Sequence, residues 1–128
     1  MKRIVVNSIS ISVLPPIWVW ATFEIDDDAC EIKCINNGIS GLNSIVIAGM
    51  EGGVKVSEEY SYKLDCPEGQ CRRCLRVAVE YGFRYGVSFG NSGGVGYYDG
   101  PYYAFIEACT ECSPMCRRKF SRSQSKSD

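Results

Sequence analysis

Eight cysteines and no histidine in 128 residues decide which chemistries this chain can carry. They fall in three groups: Cys30-x3-Cys34, Cys66-x4-Cys71-x2-Cys74 and Cys109-x2-Cys112-x3-Cys116. An even number of cysteines in a short chain predicts a disulfide framework if the protein passes through an oxidising compartment, and all eight are expected in bridges. The spacing leaves their connectivity open. A second reading pairs Cys71-x2-Cys74 with Cys109-x2-Cys112 as the two knuckles of a four-thiolate zinc site. The 34 residues between those knuckles exceed the usual spacing of about 15 to 20, and four further thiols would need a second site, so disulfides are favoured. A third reading makes Cys71-Arg72-Arg73-Cys74 a redox pair whose neighbouring guanidinium groups stabilise the thiolate. No βαβ pattern surrounds it, which argues for a structural role.

Other catalytic chemistry finds little footing. Without histidine the commonest general base is missing, and no Ser-x-x-Lys or Gly-x-Ser-x-Gly arrangement replaces it. Asp26-Asp27-Asp28 lacks the spaced ligands and central glycine of a calcium loop and reads as a solvated turn. Gly93-Gly94-Val95-Gly96 lacks the lysine of a phosphate loop and reads as a flexible tip. The expectation is a binding protein, not an enzyme, with no cofactor and no metal.

The elements that position these residues are strands. Leu75, Val77, Val79, Tyr81, Phe83, Tyr85, Val87 and Phe89 hold every odd position of one run, the two-residue period of a long strand with one apolar face. Val54, Val56, Tyr60, Tyr62, Leu64 and Cys66 give a second such run, broken by Glu58. Shorter candidates span 45–48, 102–109, 4–14 and 17–25. Glycines at 49–53 and 90–94 supply turn chemistry, the first joining a strand at 45 to one at 54, and Pro15-Pro16 suits a turn between the first two candidates. The expected fold is a small, cysteine-rich all-β domain of long antiparallel hairpins joined at a disulfide-rich base. Strand direction brings all eight cysteines to one end and sends the loop at 90–101 to the other.

At that far end Tyr97, Tyr98, Asp99 and Tyr102 form the predicted binding site, with Tyr103 beside them. Tyrosine offers large contact area with few torsions to freeze, and glycine lets a loop adapt to a surface. Tyr97 and Tyr98 are expected to be exposed, whereas Tyr102 and Tyr103 also suit packing across a sheet. Three hairpins rising from a disulfide-rich base resemble the plan of three-finger toxins and related extracellular receptor domains. The chain departs from that pattern in having Cys30 as its first cysteine and a Ser-rich tail in place of a terminal Cys-Asn pair.

Residues 1–21 read either as a signal peptide, from Met1-Lys2-Arg3 and the apolar segment before Ala21, or as the first strand of a hairpin, from the alternation of Ile9, Ile11 and Val13 with serines. Residues 22–116 form the cysteine-rich domain. Residues 117–128 carry Arg117, Arg118, Lys119, Arg122 and Lys126 against Asp128 alone, and are expected to be a disordered basic tail. No apolar run is long enough to span a bilayer, and the acidic remainder of the chain gives no broad footprint for nucleic acid. The sequence therefore reads as a secreted, disulfide-stabilised binding protein for an extracellular protein or receptor. The alternative is an intracellular zinc-ribbon-like module that contacts protein or nucleic acid.

Overall fold

The computed structural model describes residues 1–13, 16–41, 48–88 and 94–126. Six strands run in chain order: β1 (Lys2–Val13), β2 (Pro16–Asp26), β3 (Glu31–Gly41), β4 (Ala48–Lys63), β5 (Arg72–Ser88) and β6 (Gly94–Cys109). One helix follows, α1 (Pro114–Lys126). The strands form two antiparallel sheets, β1-β2-β3 and β4-β5-β6, each a meander with its central strand second. The fold is thus the expected cysteine-rich all-β domain of long hairpins, but not three fingers in a row. Two three-stranded sheets face one another.

Alternation explains why they stack. Along β2 the odd residues Ile17, Val19, Ala21, Phe23 and Ile25 are buried, and on β5 Leu75, Val77 and Val79 are buried as the odd-position run predicts. These two apolar stripes meet, with Ile32 from β3 and Ala104, Ile106 and Ala108 from β6, in a single core. Seven of its larger side chains, Val19, Phe23, Ile25, Leu75, Val77, Val79 and Ile106, are essentially fully enclosed. Each such burial stabilises the fold by about 1.5 to 3 kcal/mol. Hydrogen bonds join the outer strands of the two sheets: Asn7 Nδ2 on β1 donates to the Glu107 carbonyl on β6 at 2.8 Å, and Asn37 Nδ2 on β3 donates to the Gly53 carbonyl on β4.

Four expectations change. The segments either side of the glycines at 49–53 do not form a hairpin, because β4 runs through them as one strand with a bulge between Gly52 and Val54. A second bulge between Lys55 and Ser57 reverses the faces, so Val54 pairs with outward-facing Glu80 while Tyr60 pairs with inward-facing Leu75. The supposed single apolar face of β4 is therefore split, and Val54, Val56, Tyr60 and Leu64 are all exposed. Glu31–Gly41 is a strand that the sequence reading left out, while the candidate at 45–47 and the tip at 89–93 lie outside the described residues. Lys2–Val13 pairs with β2 from Lys2 opposite Asp26 to Val13 opposite Pro16.

The fourth change is the tail. Residues 114–126 are helical, not disordered. Ser113 caps the helix, its Oγ accepting from the Met115 amide at 2.9 Å and the Cys116 amide at 3.3 Å, and Pro114 occupies the first helical position, where its missing N–H costs nothing. Phe120 packs against Tyr62 with ring centroids 5.4 Å apart, and Lys119 pairs with Glu31 at 3.7 Å while donating to the Ala29 carbonyl.

Candidate functional site

The base of the sandwich is stapled three times: Cys30–Cys116, Cys66–Cys112 and Cys74–Cys109. The β2–β3 turn brings up Cys30, the β4–β5 connection brings up Cys66 and Cys71, and the linker from β6 to α1 brings up Cys112. Seven of the eight cysteines gather at this end as expected. Two corrections follow. Cys34 and Cys71 are free thiols, so not all eight are bridged, and Cys34 lies up strand β3 opposite Phe23, away from the base. The zinc reading fails because Cys74, Cys109 and Cys112 spend their sulfurs in disulfides. Among the described residues the one group with metal-ligand spacing, Cys74, Glu107 and Cys109, includes both sulfurs of a bridge.

The redox reading of Cys71 and Cys74 fails on the same grounds. Cys74 is bonded to Cys109, and Cys71 is buried beside Cys30 and Cys116. Burial pushes the Cys71 thiol up, only partly opposed by Arg117, and Arg72, the guanidinium expected to activate it, is held in a fork on Asp65 at 2.9 and 2.7 Å. Cys34 is also pushed up by burial. Neither thiol is an activated nucleophile.

A charged knot locks the same end. Arg3 on β1 grips Asp27 with Nε at 2.7 Å and Nη2 at 3.2 Å, and Asp27 also accepts the Glu111 amide at 2.8 Å. These donors hold the Asp27 carboxyl below its usual range, Arg3 first among them. Asp27 is therefore a tied residue, not part of a solvated turn.

The opposite end carries the aromatics. β5 has 17 residues and β2 has 11, and the shared core ends at Tyr81, so β5 and β6 run past the sheet that covers them. On the inner face Tyr81 stacks on Tyr102 at 5.6 Å between centroids, and Phe83 meets both rings at 5.9 and 6.3 Å. The Tyr102 hydroxyl donates to Asp99. On the outer face Tyr98 lies over Gly82, where a Cβ would come within 2.3 Å of the phenol oxygen, so only glycine leaves room for the ring. Tyr98 and Tyr103 are each 48% exposed and Phe105 is 55% exposed. Arg76 lies 5.4 Å from the Phe105 ring and pairs with Glu59 at 2.9 Å, giving this surface a charged rim.

Of the predicted binding residues, the structure brings Asp99 and Tyr102 into contact and exposes Tyr98 on the opposite face of the sheet, while the side chain of Tyr97 lies outside the described residues. Tyr97 and Tyr98 are strand residues paired with Tyr85 and Arg84, not loop residues, because β6 begins at Gly94. Phe105 was missed as a surface residue. Its odd-position neighbours Tyr103 and Glu107 share no side with the even-position, buried Ala104 and Ile106, and that alternation is the signal that places it outward. Set against family models, curated proteins and solved structures, the chain matches none of them.

Proposed function

We propose that this chain is a secreted, disulfide-stabilised binding protein that recognises an extracellular protein through the aromatic end of β5 and β6. The observation that carries the reading is the exposure of Tyr98, Tyr103 and Phe105 along the outer face of β6, from Phe105 opposite Ala78 to Tyr98 beyond the Tyr81–Tyr102 pair. Soluble proteins seldom display contiguous large apolar side chains without a partner for them, and a rigid aromatic surface with a charged rim is the composition of a protein interface core. Three intramolecular disulfides support passage through an oxidising compartment. The role is binding without turnover, and the basic helix α1 serves to dock the C-terminal segment and not to contact nucleic acid.

The test is a screen of the folded protein against an array of purified receptor ectodomains, followed by variants. Tyr98→Ala with Tyr103→Ala is expected to weaken the interaction by about 1 to 3 kcal/mol while the thermal midpoint holds. Arg118→Ser with Arg122→Ser, on the exposed side of α1, is expected to leave it intact. The reverse pattern would move recognition to the helix and overturn the proposal.

A further inference from the structure

We infer that the outer face of the first sheet is a binding groove for a neutral saccharide, with Trp18 and Trp20 as its stacking platform. The even residues of β2 point away from the core, and antiparallel register fixes their same-face neighbours. Ser10 and Ser40 flank Trp18; Ser8 and Gly38 flank Trp20; Val6 and Asn36 flank Thr22. Each indole thus has only serine or glycine directly across from it on the neighbouring strands.

The arrangement of Trp20 is specific. A Cβ at position 38 would lie 2.7 Å from Cζ2 of Trp20, so the ring lies down across β3 in space that only glycine leaves open. Trp18 stands beside it, 40% exposed. Between them runs a groove of about 480 Å3 lined by Val6, Ser8, Trp18, Trp20, Thr22 and Ser40, crossing all three strands. That volume lies within the range of about 300 to 1,000 Å3 typical of small-ligand sites.

The chemistry of the lining selects the occupant. A pyranose ring has a flat face of C–H bonds and a rim of hydroxyls. The negative face of an indole attracts polarised C–H groups, and the hydroxyls of Ser8, Thr22 and Ser40 can both donate and accept at the sugar's rim. None of the six lining residues is charged. The nearest charged row on this face is engaged in its own ion pairs, with Glu24 shared between Lys2 at 3.4 Å and Lys33 at 3.6 Å. Among the described residues the groove's own lining offers an anionic polymer no cation and a basic peptide no carboxylate. The groove is on the sheet opposite the one bearing Tyr98, Tyr103 and Phe105, so this site is separate from the protein interface proposed above.

The chain's two tryptophans are both in the groove, so tryptophan emission excited above the tyrosine absorption band reports this site alone. Titration of the native protein with cellohexaose or chitohexaose is expected to give a saturable change in tryptophan emission, with a dissociation constant of about 10 μM to 1 mM. Polygalacturonate should give none. Trp18→Ala should weaken binding at least about tenfold, as loss of an aromatic anchor does. Gly38→Val, which displaces the Trp20 ring, should do the same while circular dichroism stays native. Silence with both neutral hexasaccharides in a protein of native spectrum would overturn the inference. So would a shift produced by phosphatidylcholine vesicles and not by sugars, or a concentration-dependent dimer, lost in Trp18→Ser, that covers the indoles.

Discussion

Asp27 illustrates how one side chain can join three segments distant in sequence. It takes the Arg3 fork from β1 and the Glu111 amide from the linker before α1 while sitting in the β2–β3 turn. Three aspartates in a row announce a turn, but nothing local says which of them will meet Arg3, because that partner arrives only when β1 pairs with β2. Since the folded Asp27 carboxyl titrates below its unfolded value, its contribution is complete at neutral pH and is lost as pH falls below about 4 toward the folded value. Asp27→Ala is expected to cost about 2 kcal/mol at pH 7, in line with hydrogen bonds to charged groups. Urea titrations at pH 7 and near pH 3 should show that difference shrinking in acid. A constant difference would mean that the side chain acts through packing. The free thiols carry a similar lesson. Cys71 sits in a motif that suggests reactivity, yet the disulfide it packs against buries it and raises its pKa.

At the level of single elements, legibility followed the regularity of the pattern. β5 was readable from Leu75 to Val79 because a central strand between two neighbours holds Leu75, Val77 and Val79 on one buried face. β4 was not, since each bulge inserts a residue and inverts every face beyond it, and no residue type marks the bulge at Val56. β3 escaped because Asn36, Asn37 and Gly38 interrupt its alternation with turn-forming types, although Asn37 and Gly38 are there to reach β4 and to admit Trp20. The helix did have a signal in Ser113-Pro114, a cap followed by a favoured first residue, which the Ser-rich, basic composition beyond it outweighed. That cap is testable: Ser113→Ala should cost about 1 kcal/mol and accelerate amide exchange at Met115 and Cys116. Unchanged exchange there would show that the Cys30–Cys116 bridge alone holds the first turn.

For the molecule as a whole, composition foretold a stapled all-β domain but not who pairs with whom, since connectivity depends on which strand ends meet after the sheets stack. The bridges span separations of 86, 46 and 35 residues, and closing loops of that size removes unfolded-state entropy worth about 4 kcal/mol each. With net stabilities of domains at about 5 to 15 kcal/mol, reduction is expected to abolish the cooperative near-UV and thermal transitions. Alkylation in denaturant should label two thiols before reduction and all eight afterwards. Eight labels without reduction, or a thermal midpoint unmoved by reductant, would refute the bridged base.

The Cys30–Cys116 bridge also determines how the protein bears tension. Met1 lies beside Asp28, and Lys119 ties α1 to Ala29 and Glu31, so the first residue and the middle of the C-terminal helix both lie against the β2–β3 turn. A force pulling the chain ends apart enters along β1 and β2, crosses from residue 30 to residue 116 through the sulfur bridge, and leaves along the helix. Everything between, 86 residues by sequence separation or about 290 Å of chain at about 3.4 Å per residue, is short-circuited. β1 and β2 could peel away strand by strand while β3 to β6, with the aromatic end they display, would feel no direct pull. In the reduced protein that hidden length would join the extensible chain.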